Sequence, residues 1–247
     1  MAKRVKKPVK KFVKYSESLV RSLEQSLQSA FRLPAYIGLS RGPGKPVPFF
    51  LVQFANAPAT ARLDGGAEQR VVEVITVDDG ASTFYLGFEA VFNADAIVKY
   101  FLHSASISIF HNIVGDVMPL FRAEWHEDDA SSATSNHAQP HWHFVQRPER
   151  IERVVRNAGP AVSGELPDFV PEHKSELFSR LADCSKFHFA MTTLWRDRSA
   201  THKVFEDNEF LEWFAGLTKY IAGQIQYVVD KMPAAGPSFT PQRDLRR

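Results

Sequence analysis

Apolar and polar positions alternate most cleanly between residues 84 and 92. Phe84, Leu86, Phe88, Ala90 and Phe92 occupy every second position, the period of a strand with one face buried. Val71 to Val77 is an apolar run just before it, and Asp78, Asp79 and Gly80 between the two have the chemistry of a tight turn. Together these runs predict a β-hairpin. Pro48 to Phe54 predicts a further short strand. Helical spacing marks both ends of the chain. Leu19, Leu23, Leu27, Ala30 and Phe31 predict a helix over 16–32, with Ser16 or Ser18 as its cap and Pro34 as its stop. Phe210, Leu211, Phe214, Leu217, Ile221, Ile225 and Val228 predict a C-terminal helix capped by Asn208.

Two stretches between these landmarks are read from weaker patterns. Asn93 or Asp95 can cap a helix running through Ile97, Val98, Phe101 and Leu102, and Ser104 to Val114 fits either a strand or its continuation. Leu177, Leu181, Cys184, His188, Met191 and Trp195 form a stripe that predicts another helix over 173–195. Leu39 to Pro48 is a loop rich in Gly and Pro. Its Gly and Lys spacing does not match a phosphate-binding loop, and its prolines lack the backbone donors such a loop needs. Residues 157–172, with three Pro and two Gly, form a linker or surface loop. The expected organisation is a basic flexible arm over 1–14, a helix plus antiparallel sheet over 15–156, that linker, a helical part over 173–232 and a flexible tail over 233–247. The fold class is α+β, an antiparallel sheet with an N-terminal helix and C-terminal helices packed on one face.

Composition changes this picture in two respects. With 44% hydrophobic residues and 20 Phe, the chain has the material of a globular core. A single cysteine, Cys184, excludes a disulfide framework or a Cys-rich zinc module and reads as a small buried hydrophobe. The net charge of +2 hides an asymmetry, because residues 1–14 hold seven Lys or Arg and no acid. The remainder is therefore mildly acidic, and the arm is a candidate contact for nucleic acid or an acidic partner. No apolar run approaches the roughly 18 residues of a membrane span, and no apolar segment of a secretory signal follows the arm. A cytoplasmic protein is the expectation.

Titratable residues bunch at meaningful spacing in Phe121 to Gln146, which carries Trp125 and Trp142 and four of the nine His. Read as two strand arms, Phe121, Ala123 and Trp125 share one face, and Arg122, Glu124 and His126 the other. In the return arm Trp142 and Phe144 share a face, with His141 and His143 opposite. An antiparallel pairing would put aromatics across one face and gather Arg122, Glu124, His126, His141 and His143 on the other. The candidate catalytic set is these five residues. His141, His143, His126 and the loop residue His137 are candidate ligands for a divalent Zn, Mn or Fe ion, whose bound water would be a nucleophile. Without a metal, one His can act as base and another as acid while Arg122 holds a phosphate. A structural role for the same histidines is the competing reading. His103, His111 and His188 lie in apolar patterns and read as hydrogen-bonded core residues.

The Phe121-Arg122 strand, the acidic loop and the Pro140-His141-Trp142-His143 return resemble the hairpin of small His-rich toxins from bacterial toxin–antitoxin modules. In those an FRYD-like strand precedes the return, whereas Ala123-Glu124-Trp125 stands here in place of the Tyr-Asp part. The resemblance covers residues 121–146 and implies a ribonuclease-like or defence role. The expected function is a hydrolase acting on RNA or another phosphodiester. The alternative is a non-catalytic module binding nucleic acid or protein.

Overall fold

A computed structural model describes residues 12–42, 49–63, 67–77, 82–96, 99–113, 116–127, 141–144 and 206–231. Helix α1 (Glu17–Phe31) is followed by eight strands: β1 (Leu39–Arg41), β2 (Phe49–Phe54), β3 (Ala59–Arg62), β4 (Glu68–Val77), β5 (Ser82–Asp95), β6 (Lys99–Ile113), β7 (Asp116–His126) and β8 (His141–Phe144). Helix α2 (Asp207–Lys231) follows. The expected helix over 173–195, the linker over 157–172, the tail and the Asp78–Gly80 turn lie outside the described residues.

All eight strands join one antiparallel sheet, with β5 at its centre. One edge of β5 pairs with β4 along Ser82–Gly87 and with β2 along Glu89–Asn93. The opposite edge pairs with β6 over nearly its whole length, and β6, β7 and β8 then follow as a meander. The alternation that predicts β5 decides what each face receives. Phe84, Leu86, Phe88, Ala90 and Phe92 are all fully buried, and their register partners include Ile109, Ile107 and Ala105 of β6. Across β7 the same row continues as Phe121, Ala123 and Trp125.

Both helices cover this apolar face. Ser16 caps α1, its Oγ accepting from the Leu19 N–H, and Arg32 ends the helix in the left-handed conformation just before Pro34. Phe214 of α2 packs edge-on against Phe88 at 5.4 Å, and Phe210 lies 6.2 Å from Trp125. The α2 helix starts at Asp207, so Asn208 sits in its first turn and is not the cap. Burying an aromatic side chain here is worth about 1.5–3 kcal/mol, which makes the meeting of these rings the main tie between helices and sheet.

The expected helix through Ile97–Leu102 is replaced by strand. β5 runs on to Asp95 and β6 begins at Lys99, a long hairpin in which Asp95 faces Lys99. The apolar run there was too short to define a period, and the pairing with a central strand decides it. A bulge between Val91 and Phe92 shifts the register, so that Ser104 pairs with Val91 and Leu102 with Phe92.

Residues 12–15, placed by sequence largely in the flexible arm, are docked. Val13 is buried, Lys14 bridges to Phe101, and the Lys14 N–H donates to Asp207 Oδ1 at 2.8 Å. This short segment takes the edge of β6 beyond the end of β7.

His111 sits fully buried, stacked on Phe84 at 4.5 Å and hydrogen-bonded to Ser82, the core role expected of it. Burial lowers its pKa to about 4. The unfolded chain takes up this proton below the ordinary value of about 6.5, while the folded chain resists it until about 4. Stability is therefore complete above about pH 6.5 and falls as pH drops toward 4, by about 3 kcal/mol from this group. Urea denaturation of the wild type and of His111→Phe at pH 7 and pH 4.5 checks this: the variant should lose most of the difference between the two pH values.

Candidate functional site

The second face of the sheet is built by the residues between the apolar ones. In β6, Ser104, Ser106 and Ser108 alternate with Ala105, Ile107 and Ile109. In β7 their partners are His126, Glu124 and Arg122. In β8, His143 stands opposite Arg122 and His141 opposite Glu124, while Trp142 faces Ala123 on the apolar side. The hairpin arms thus pair in the register that collects the basic and acidic residues on one face. His141 is placed here by its register alone, and His137 lies outside the described residues.

Glu124 organises the cluster. Its side chain is only 8% exposed, yet it meets three basic groups. Oε2 is 2.7 Å from Arg122 Nε, and Oε1 is 2.5 Å from His143 Nε2 and 3.5 Å from His126 Nε2. A buried carboxylate needs such partners, because its lost hydration is otherwise uncompensated. Arg122 and His143 keep 31% and 41% of their side chains exposed. The charge is therefore held inside while its partners reach the surface. The ring of His103 adds to the group, 6.4 Å from that of His126 and nearly perpendicular to it. Sequence placed His103 in the core. The bulge beside Leu102 redirects it.

Glu89 of β5 belongs to the same face and was not singled out by sequence. It pairs with Ser106, which pairs with Glu124, so one row of the sheet reads Glu89, Ser106, Glu124. Burial pushes its carboxyl above the ordinary range, and the nearby Arg122 guanidinium pulls the other way. The signal that could have found Glu89 is that same alternation, read for its polar half.

The sheet curls over this face, bringing β3 against β7. Ala61, Val71 and Phe110 form a small apolar cluster on this face. Between it and the charged group, Gln69 lies across Gly87, where a Cβ would collide with the Gln69 amide. Among the described residues, no set of three His, Cys, Asp or Glu is grouped to hold a metal ion. No protein-family model matches the chain, and no curated protein or solved structure matches it.

Glu124 should be the keystone for stability as well. Glu124→Ala removes the buried carboxylate that Arg122 and His143 share and should cost about 1–3 kcal/mol. His143→Ala removes a half-exposed partner and should cost less than about 1 kcal/mol. Guanidinium denaturation of the two variants checks the order.

Proposed function

We propose that the chain is a phosphodiester-cleaving hydrolase acting on RNA, with His143 as general base. The observation that carries this reading is the 2.5 Å contact between His143 Nε2 and Glu124 Oε1. A carboxylate only accepts hydrogen bonds, so Nε2 holds the shared proton and Nδ1 becomes the accepting nitrogen. Glu124 fixes the tautomer and stabilises the imidazolium once a proton arrives. Arg122, tethered through Nε, presents a cation beside the base, as a diester phosphate requires. His126 Nε2 approaches the same carboxylate at 3.5 Å. A ribose 2′-hydroxyl that gives its proton to His143 attacks the adjacent phosphorus, which is the chemistry of ribonuclease-like cleavage.

The anchored N-terminus supports a polymeric substrate. Phe12 packs on Phe101 at 5.3 Å, and Phe101 pairs with Asn93 on the face that carries Glu89. The residues before Phe12 include six Lys or Arg, so the basic segment joins the body two residues from His103. A cytoplasmic, defence-associated role, as the hairpin resemblance implies, fits this reading. No helix of the described residues is long and apolar enough to cross a membrane. The other branch of the same reading places a Zn, Mn or Fe ion on His143, His126 and His141.

One observation favours a second reading. Glu124 ties β7 to β8 through its contact with His143, which also serves to hold an edge strand in a non-catalytic module that binds nucleic acid or protein. Cleavage of an RNA oligonucleotide separates the two. The wild type should release fragments ending in a cyclic phosphate, and His143→Ala should fall by about 100-fold or more with its fold intact. No cleavage by the wild type, or full cleavage by the variant, would sink the catalytic reading. Elemental analysis of the active protein decides the branch, a full equivalent of transition metal favouring the ion.

Deleting residues 1–11 tests the arm while sparing the docked Val13 and Lys14. RNA affinity should drop, and the slope of log affinity against log salt should flatten by up to about 4 units. An unchanged slope would show that the arm makes no phosphate contact.

A further inference from the structure

We propose that Glu89 is the general acid of the site, delivering a proton to the leaving 5′-oxygen while His143 removes one from the 2′-hydroxyl. This deepens the ribonuclease-like reading above and rests on it. The geometry comes from the register. Glu89 and Glu124 lie on one face of one cross-strand row, separated only by Ser106. Two strand spacings put their backbones about 10 Å apart. Both side chains rise from the face over which the sheet curls. His143 reaches back from β8 to the Glu124 carboxylate. Base and proposed acid therefore flank the position of Arg122, where a phosphate would sit.

The surroundings of the two carboxyls differ in the required sense. Glu124 meets Arg122, His126 and His143 within 3.5 Å, surroundings that favour a carboxylate's charged form. Glu89 is half-buried, and its direct register partners, Gln53 and Ser106, are uncharged. On this face β2 presents Gln53, β4 presents Gln69, and β6 presents Ser104, Ser106 and Ser108. Its charged or titratable neighbours across the face are Arg122, Glu124 and His126 of β7 and His143 of β8. Burial raises the Glu89 pKa, and Arg122 moderates the effect. Two carboxyls pushed apart in this way supply one anion and one proton donor.

The step balances without a further reactant. The 2′-oxygen forms a bond to phosphorus, and its proton passes to His143 Nδ1. The bond from phosphorus to the 5′-oxygen breaks, and the Glu89 proton goes to that oxygen. The products are a 2′,3′-cyclic phosphate and a 5′-hydroxyl. Glu89 is then an anion and His143 a cation, and water restores both.

A pair of substrates tests the assignment. A ribodinucleotide has a poor leaving group that needs the acid. The 4-nitrophenyl ester of a ribonucleoside 3′-phosphate has a leaving group that departs without one. Glu89→Gln should lower kcat/KM on the dinucleotide by about 100-fold and remove the high-pH limb of its profile. The same variant should cleave the nitrophenyl ester within about threefold of wild type, whereas His143→Ala should lose both activities. A Glu89→Gln protein with undiminished dinucleotide cleavage overturns the acid role and leaves the base intact. Equal loss on both esters also overturns it, since that marks a structural residue. A wild type inert toward both esters overturns the hydrolase reading itself. Infrared spectra give a further readout: in wild type one protonated-carboxyl stretch should persist to higher pH than that of ordinary carboxyls, and it should vanish in Glu89→Gln. Its absence from wild type overturns the proposal.

Discussion

Antiparallel register across β5, β6 and β7 is the constraint on which the molecule depends. Side chains in a sheet alternate strictly, so fixing one pair of partners fixes the face of every residue on both strands. Here the pairing of Phe88 with Ile107, and of Ile107 with Ala123, commits the apolar residues of three strands to one side. The helices can then cover that side with a single aromatic seam. The same commitment delivers Glu89, Ser106 and Glu124 to the other side as a row. Core and site are two consequences of one register, and a slip of one residue would expose the Phe residues and bury the carboxylates together.

The price of burying a carboxylate is met locally. The Glu124 side chain is 8% exposed, and a carboxylate so buried loses its hydration without return unless partners are at hand. Arg122 and His143 stand opposite each other on adjacent strands and hold its two oxygens. At Glu89 burial outweighs the pull of the Arg122 guanidinium, and its carboxyl is correspondingly easier to protonate. Two residues of one type, on one face and in one row, thereby acquire different chemistry from their neighbours alone.

Much of this was legible in the sequence because the physics is periodic. The Phe84–Phe92 alternation, the α1 stripe with its Ser16 cap and the α2 stripe all rest on side-chain spacing, and all appear where the spacing put them. The partition of the Phe121–His126 arm into two faces follows from the same rule. The stretch 95–102 did not yield, because a short apolar run has no period of its own and takes its structure from β5 beside it. His103 was misplaced for a related reason: a bulge changes which way one residue turns, and a bulge is a property of the pairing. Glu89 stands in the polar half of an alternation whose apolar half carries the strand signal. Ser104 to Val114 fitted strand or continued helix on pattern alone, and its pairing with β5 decides for strand.

The short β8 gives the site an unusual dependence on local order. His143 is carried by a four-residue strand at the sheet edge, paired on one side through β7. Edge strands open by fraying at far lower free energy than the central strands they border. Each such opening would withdraw the imidazole from Glu124 while leaving the core intact. If the site is the proposed catalyst, its activity would track the closed population of one hairpin, so heat or mild denaturant would silence it well before the aromatic seam melts.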